Sequence, residues 1–165
     1  MNLSLRIFKI SLIFFAALFV FGCSKDEEDK DTRSSDEKIL EYLAEHNIEA
    51  IKDTSGLYYY IERQGDGTYM DTTQTTVYLF YKGYFTNGRV FDSRTTSPYG
   101  AVLSETVKGW QIGIPLFDKG AKGKLFIPSE LGYGPNDYNE IPGNSVLIFD
   151  IEVVKFYGIK SNLIL

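Results

Sequence analysis

The sequence is poor in cysteine and histidine, with one of each, Cys23 and His46, among 165 residues. A single cysteine cannot form a disulfide within the chain, so stability must come from a packed core, which a domain of this size can bury. His46 has no second histidine and no cysteine near it in the sequence. This isolation is typical of a solvated surface residue, so neither a metal site nor a cysteine–histidine catalytic pair is predicted.

An excess of basic residues is also missing. Asp and Glu number 22 against 17 Lys and Arg, which gives a formal net charge of −5. Nucleic acids and anionic membrane surfaces bind proteins through basic faces. The charge balance therefore argues against both as partners of this chain.

The N-terminal apolar run is too short for a membrane span, which takes roughly 20 residues. It covers residues 10–21, is interrupted by Ser11, and follows Arg6 and Lys9. A basic start followed by a short apolar run is typical of a secretory signal. We therefore predict a signal peptide of the lipoprotein type at residues 1–22.

The end of this run, Val20-Phe21-Gly22-Cys23, resembles a bacterial lipobox, in which a small residue precedes the cysteine that accepts lipid. The resemblance implies lipidation of Cys23 and anchoring to the outer membrane of the cell envelope. A plain signal peptide followed by an incidental cysteine is the alternative. Residues 23–34 are polar and acidic, which predicts a flexible tether. Because a similar acidic stretch directs some lipoproteins to the outer face, a periplasmic and a surface-exposed position both stay open.

A helix is predicted to begin after the tether. Ser34 and Glu37 have the spacing of a capping box, and Asn47 is a typical residue at a helix end. The apolar residues of this segment that share a helical face are Ile39, Leu40, Leu43 and Ala44. Such an amphipathic helix docks on its own domain or on a second subunit, so a homodimer formed through it is one hypothesis. Residues 35–56 are assigned to this accessory helix and lead-in, and residues 57–165 to a domain.

Residues 77–92 have the pattern of a β-hairpin. Large apolar residues alternate along the first strand, which gives it one buried face. Asn87-Gly88 then supplies two residues that tolerate the positive φ of a tight turn. The returning strand is predicted to end at Asp92, before a polar loop at residues 93–98.

Further strands are predicted at residues 57–62, 124–128 and 145–156, each from its alternating or apolar pattern. A short helix at residues 107–114 carries Trp110, the only tryptophan, and ends before a proline. A long loop rich in glycine and proline precedes the last strand.

The body of the chain, from about residue 77 to residue 155, resembles the FKBP-type peptidyl-prolyl isomerases. The motifs that carry the resemblance are Tyr81-Lys82-Gly83, Gly88 through Phe91-Asp92-Ser93, Val107-Lys108-Gly109-Trp110, Gly120 through Leu125 to Ile127-Pro128, Leu131-Gly132-Tyr133-Gly134, Ile141-Pro142-Gly143-Asn144, and Leu147-Ile148-Phe149-Asp150-Ile151-Glu152. Each motif alone is weak, and their joint order and spacing are specific. The resemblance implies an α+β fold in which a curved antiparallel sheet wraps around one short helix, with an N-terminal accessory helix.

The resemblance also implies a substrate pocket. The residues at the matching positions are Tyr81, Phe91, Asp92, Val107, Trp110, Tyr133, Ile141 and Phe149, with Tyr99 as the expected occupant of a further edge position. Phe91, Asp92 and Tyr133 are the predicted catalytic residues, and the whole set is predicted to bind substrate. The Tyr133 hydroxyl and the Val107 backbone N–H are expected to position the carbonyls that flank the proline. Ala101, where the family often has a phenylalanine, puts a departure at the rim and thus affects sequence preference.

Rotation about an X-Pro bond makes and breaks no covalent bond, so no cofactor, metal or nucleophile is predicted. The expected substrates are proline-containing segments of secreted or envelope proteins, whose folding the enzyme assists. The alternative is a lipid-tethered module that holds such segments, as a chaperone or assembly factor, without turnover. The complete set of pocket residues favours the enzyme.

Overall fold

The computed structural model describes residues 32–70 and 75–157. In chain order, the helices and strands are α1 (Ser35–Glu45), β1 (Ile51–Lys52), β2 (Tyr58–Arg63), β3 (Thr76–Tyr84), β4 (Val90–Val102), α2 (Lys108–Gly113), β5 (Lys122–Ile127) and β6 (Leu147–Tyr157). The predicted signal peptide at residues 1–22, the predicted lipidation at Cys23 and most of the predicted tether lie outside the described residues. Within the described ranges, no helix combines the length and the apolar character needed to cross a membrane.

The six strands form one antiparallel sheet in the order β1-β2-β5-β6-β3-β4. Strand β6 lies in the middle of this sheet, because it pairs with β5 on one side and with β3 on the other. The predicted α+β fold, a curved antiparallel sheet with one short helix against it and an accessory helix, is confirmed. Several strand ends differ from the predicted ones by one or two residues.

The sheet buries apolar side chains on both faces. On the face that carries α2, Phe149 and Ile151 of β6 pack with Trp110 and other residues of the main core. On the opposite face, Ile148 of β6 packs with Phe126 of β5 in a second core beneath α1. The alternation of side chains along a strand produces this division, since neighbouring residues point to opposite faces.

Helix α1 begins at the predicted capping box and docks on its own sheet. Ser34 accepts a hydrogen bond from the Glu37 backbone N–H, and Glu37 in turn accepts one from the Ser34 backbone N–H. Beyond the C-terminal end of the helix, Asn47 has a φ of 52°, which agrees with its predicted role in ending the helix. His46 is exposed as predicted, and its ring stacks on Tyr42 with 3.8 Å between ring centroids.

The predicted apolar face of α1 is wrong in two positions. Leu40 is 49% exposed and Ala44 is also exposed, whereas Tyr42, which the pattern did not include, is buried. The buried residues are Ile39, Tyr42 and Leu43. Tyr42 replaces the predicted aliphatic contacts because its ring packs against Phe126 of β5, at 5.9 Å between centroids.

The hairpin of β3 and β4 has the predicted turn, with Gly88 at a φ of 82°. The prediction that the second strand ends at Asp92 is wrong, because β4 continues to Val102. Its pairing with β3 shifts register on the way, so that Tyr81 faces Arg94 while Leu79 faces Tyr99. The intervening residues form a bulge at this edge of the sheet, which is the segment predicted as a polar loop.

Helix α2 is short, as predicted, and is followed by a single turn of 3₁₀ helix at Ile114–Leu116. Its two glycines allow it to lie close to the sheet. A Cβ on Gly109 would come within 2.4 Å of the Ile127 side chain, and one on Gly113 within 2.6 Å of the Leu125 side chain. This close approach brings the indole of Trp110 against the inner face of the sheet.

Candidate active site

A cavity of about 560 Å³ opens between the inner face of the sheet, helix α2 and the loop that precedes β6. Its lining residues are Tyr81, Phe91, Asp92, Tyr99, Glu105, Thr106, Val107, Trp110, Tyr133, Tyr138, Asn139, Glu140, Ile141 and Phe149. All nine residues that were predicted to bind substrate are in this set. The structure therefore brings them together in one place, while the individual roles assigned to them stay predictions.

The floor of the cavity is an aromatic cage. The Trp110 ring meets Tyr81 and Phe149 edge to face, each at 5.2 Å between ring centroids. Phe91 meets Phe149 in the same way at 5.5 Å. Edge-to-face contacts hold the rings at fixed angles, so the floor is rigid and apolar before any ligand enters.

Gly83 on β3 makes room for two of these rings. A Cβ at this position would lie 2.6 Å from the Phe91 ring and 2.8 Å from the Phe149 ring. Gly83 pairs with Phe149 on β6 and with Asp92 on β4. A side chain here would displace the cage, so the glycine of the Tyr81-Lys82-Gly83 motif has a packing role.

Asp92 is held in a fixed orientation at the edge of the cage. The Tyr81 hydroxyl donates to Asp92 Oδ2 at 2.6 Å, and the Ser93 backbone N–H donates to Asp92 Oδ1 at 2.8 Å. Burial raises the pKa of Tyr81 well above its usual value, and the hydrogen bond to Asp92 raises that pKa further, while the charge of Arg94 acts in the opposite direction. The phenol therefore stays protonated and continues to donate at physiological pH.

Two tyrosines form the opposite rim. The rings of Tyr133 and Tyr138 stack with 4.6 Å between centroids and 12° between planes. Tyr138 is fixed by two backbone hydrogen bonds with Ile141, at 2.9 and 3.0 Å, which close the tip of the loop. Burial is the main cause that raises the pKa of Tyr133, so its hydroxyl is a neutral donor. Tyr133 makes no hydrogen bond within the described residues and can donate to a ligand.

Val107 presents a backbone donor at the start of α2. Its carbonyl accepts from the Trp110 and Gln111 N–H groups, whereas its own N–H has no acceptor in the part of the chain that the structure describes. The Gln111 side chain braces the preceding segment by donating to the Thr106 carbonyl at 2.7 Å and the Ser104 carbonyl at 3.2 Å. The Val107 N–H is thus positioned, and a carbonyl of a bound peptide can satisfy it.

Sequence reasoning did not assign five lining residues, which are Glu105, Thr106, Tyr138, Asn139 and Glu140. Each is close in sequence to an assigned one: Glu105 and Thr106 precede Val107, and Glu140 precedes Ile141. Proximity along the chain was therefore the available signal. It gave no orientation, because loop residues lack the periodicity that places a side chain on a given face.

The cavity has the means to bind and desolvate a segment of chain, and it contains no obvious nucleophile. No cysteine, histidine or lysine lines it. Within residues 32–70 and 75–157, no group of three or more His, Cys, Asp or Glu side chains could hold a metal ion. The arrangement of an apolar floor, one oriented carboxylate and free donors favours non-covalent chemistry on a bound peptide.

The sequence was compared with protein families and with curated proteins, and both comparisons gave matches. Residues 68–154 match the profile of a family described as FKBP-type peptidyl-prolyl cis-trans isomerase. Among curated proteins, the chain is 44% identical over 110 residues to the FKBP-type peptidyl-prolyl cis-trans isomerase FkpA of Buchnera aphidicola subsp. Schizaphis graminum, which covers 66% of this chain and 44% of that protein. Identity to FkpA of Escherichia coli K12 is 35% over 130 residues, which covers 76% of this chain and 48% of the relative.

The solved structures agree with these matches. The crystal structure of FkpA from Escherichia coli aligns with a TM-score of 0.68 at 33% identity, over 75% of this chain and 60% of the other. A peptidyl-prolyl cis-trans isomerase from Pseudomonas syringae aligns with a TM-score of 0.64 at 24% identity, over 74% of this chain and 92% of the other, which supports the fold alone. The chain spans about half the length of the FkpA proteins of Buchnera and Escherichia coli.

Proposed function

Because the chain belongs to the FKBP-type peptidyl-prolyl cis-trans isomerase family, as its motifs predicted, we propose that it catalyses rotation about X-Pro bonds in polypeptides. The observation that carries this proposal is the cavity itself: a rigid aromatic floor of Tyr81, Trp110 and Phe149 with the oriented carboxylate of Asp92 at its edge. A binding surface without turnover has no evident use for a buried phenol that fixes one carboxylate.

The barrier that such an enzyme must lower is ~18–20 kcal/mol, and it arises from the partial double-bond character of the peptide link. Water stabilises the planar ground state by hydrogen bonding to the carbonyl oxygen. A dry cavity removes that stabilisation, and the twisted transition state, which is less delocalised, is favoured in relative terms. Lowering the barrier by roughly 5 kcal/mol accelerates rotation by a few thousandfold.

Each part of the cavity has a task in this mechanism. The cage of Trp110, Phe91 and Phe149 holds the proline ring and excludes water. The Val107 N–H and the Tyr133 hydroxyl donate to no acceptor within the described residues, so they are available to orient the flanking carbonyls. Asp92 supplies a fixed negative field beside the twisting bond, which acts more strongly in a desolvated site.

The experiment is a prolyl-peptide isomerisation assay on the purified protein and on two variants, Asp92→Val and Tyr133→Phe. Each should lower kcat/KM by roughly five- to thirtyfold, because each removes one polar contact worth ~1–2 kcal/mol from a desolvated site. Tyr157→Phe is the matched control, since Tyr157 lies on β6 outside the cavity and is 57% exposed.

A different outcome of the same assay would contradict isomerase activity. A correctly folded wild-type protein that retains proline-containing peptides but does not exceed the spontaneous rate would contradict the isomerase. The protein would then be a tethered binding module, which uses this cavity to hold proline-containing segments as a chaperone or assembly factor.

We further propose that the chain is a lipoprotein of the cell envelope, lipidated at Cys23, anchored to the outer membrane and acting on secreted or envelope proteins. The basic and apolar N-terminus and the lipobox-like ending support this. Cys23→Ser should move the protein from the membrane fraction to the soluble fraction or leave the precursor uncut. Recovery of mature Cys23→Ser protein in membranes would place the anchor elsewhere.

A homodimer through the accessory helix also stays a proposal. The inner face of α1 is occupied by its own sheet, so a second subunit would have to contact the outward face, where Leu40 is 49% exposed. Sedimentation velocity on wild type and Leu40→Glu tests this. A wild type that sediments as a monomer at tens of micromolar would contradict the dimer.

A further inference from the structure

The cavity lining is acidic as well as aromatic. It includes three carboxylates, Asp92, Glu105 and Glu140, and no lysine, arginine or histidine. Asp92 is engaged by Tyr81 and by the Ser93 N–H, as described above. Glu105 and Glu140 have no such role, and both are exposed at the mouth of the cavity.

Neither of these two glutamates has an ion-pair or hydrogen-bond partner for its carboxylate among the described residues. Two other acids of the same unit are paired: Asp36 with Lys52 at 2.6 Å and Asp66 with Lys119 at 3.0 Å. Free carboxylates on a surface are ordinary, but here two of them border a cavity that has no cation of its own.

Arg89, which contacts the main chain of Glu140, does not pair with the Glu140 carboxylate. The Arg89 guanidinium lies 4.6 Å from the centroid of the Phe85 ring, and its Nη2 donates to the Glu140 backbone carbonyl at 3.4 Å. Its contacts are therefore with a ring and with the main chain. The Glu140 carboxylate remains available to a ligand.

Exposed aromatic faces lie beside these carboxylates. Tyr138 and Tyr133 are 53% and 38% exposed, respectively, and their stacked rings form part of the same rim. Long cationic side chains bind such surfaces well, because the aliphatic stem packs on the ring while the charge reaches a carboxylate. An acidic side chain in the same position would meet like charge and gain nothing.

We propose that the cavity selects prolyl segments that carry lysine or arginine beside the proline, with Glu105 and Glu140 as the specificity-determining residues. This inference rests on the proposed isomerase function, whose site it uses. The proline ring enters the aromatic floor, and the neighbouring cationic side chain lies across the tyrosine rim toward the two glutamates. The selection is electrostatic, so it weakens as salt screens the charges.

The experiment compares short peptides that differ in one residue next to proline: lysine, norleucine, glutamine or glutamate, placed before the proline in one series and after it in a second. The kcat/KM for lysine should exceed that for glutamate by roughly tenfold at low salt in at least one series, and the ratio should fall below about threefold in 0.5 M salt. Norleucine separates the effect of the stem from that of the charge.

Two substitutions test whether Glu105 and Glu140 cause the preference for lysine over glutamate. Glu105→Gln with Glu140→Gln should remove most of the lysine-to-glutamate ratio while the norleucine peptide keeps its rate within about twofold, because both side chains are exposed and unpaired. Glu49→Gln is the matched control, since it changes the same charge outside the cavity and should leave the ratio unaltered.

The outcomes separate this inference from the function on which it rests. Rapid isomerisation of all four peptides at equal rates, or a ratio that the double variant does not change, would overturn the selectivity and leave the isomerase standing. If no peptide is isomerised, the isomerase fails. Peptide affinities measured through Trp110 fluorescence then decide the selectivity alone: tighter binding of the lysine peptide would support it, and equal affinities would overturn it.

Discussion

The hydrogen bond between Tyr81 and Asp92 joins two strands at the edge of the cavity. The hydroxyl donor is buried and belongs to β3, while the carboxylate belongs to β4, so the hydrogen bond depends on the register of two strands. Asp92 keeps a second donor, the Ser93 N–H, on its other oxygen. Loss of the phenol therefore frees one oxygen without removing the carboxylate from the site.

Tyr81→Phe tests whether orientation of Asp92 matters for catalysis. We expect kcat/KM to fall roughly three- to tenfold and the free energy of unfolding to fall by about 1–2 kcal/mol, since a hydrogen bond to a charged acceptor is lost. The measurements are the prolyl-peptide assay and denaturant unfolding. An unchanged kcat/KM in a variant with the expected stability loss would limit Tyr81 to a packing role.

Every predicted site residue of the cavity except Tyr99 lies in one of the motifs that carry the family resemblance, which explains why the sequence can identify them. Tyr81, Asp92 and Phe149 lie on strands with motif spacing, so their order along the chain determines their place in the sheet. Tyr138 and Glu140 lie on a loop whose form depends on the bridge between Tyr138 and Ile141. No local pattern encodes that bridge, and the rim could be seen only in three dimensions.

Among the elements, α1 shows how a second core is added to the face of the sheet opposite the cavity. Ile39 is fully buried against residues of β5 and β6, while Leu40, the next residue, is about half exposed. The sequence correctly predicted this helix, its cap and its end. It misplaced the buried face because the partner surface is aromatic, which makes Tyr42 a better contact than Ala44.

Ile39→Ala should lower the free energy of unfolding by about 2–4 kcal/mol, because it leaves a cavity in a closed core. Leu40→Ala is the control and should change it by less than about 1 kcal/mol. At a temperature where both variants are folded, kcat/KM should match wild type, since this core lies on the face opposite the active site. A loss of activity in folded Ile39→Ala would indicate that α1 influences the cavity through the sheet.

Strand β4 shows a different limit of sequence reasoning. Its middle residues are exposed and polar, so they lack the alternation by which strands are recognised. Pairing with β3 on either side, at residues 92–94 and at residues 99–102, holds the strand at the sheet edge, and the unpaired residues between form the bulge. Pairing of this kind is a tertiary effect, and the loop predicted for residues 93–98 could not account for it.

At the scale of the whole molecule, charge makes stability depend on pH in the acid range. The hydrogen bond and charge of Lys52, together with the Tyr58 hydroxyl, lower the pKa of Asp36, and backbone and side-chain donors at Thr68 and Lys119 lower that of Asp66. A carboxylate whose pKa is lower in the folded chain stabilises the fold above its unfolded pKa, about 3.9 for Asp, and this contribution is lost as pH falls through the folded value.

The unfolding temperature should therefore stay level between about pH 5 and pH 8 and fall below about pH 4. Tyr58 and Tyr81, with pKa values raised chiefly by burial, act at the opposite end: their contribution is present below about pH 10 and is lost at higher pH. Thermal unfolding measured from pH 2.5 to pH 8 checks the predicted fall of the unfolding temperature in acid. Asp66→Asn should make that fall less steep. A curve that is flat down to pH 2.5 would contradict the assignment.

The central place of β6 has a consequence for the order in which the molecule can form. A ribosome or a translocation channel delivers residues from the N-terminus onward, and β6 is the last strand described. Until it emerges, the ladder of β1, β2 and β5 and the ladder of β3 and β4 share no hydrogen-bonded neighbour, and each presents an open edge. Phe149, which completes the aromatic cage, arrives with the same strand. The nascent chain thus acquires its sheet and its cavity in one late, long-range step, and until then it is itself an aggregation-prone client for any holding factor in its surroundings.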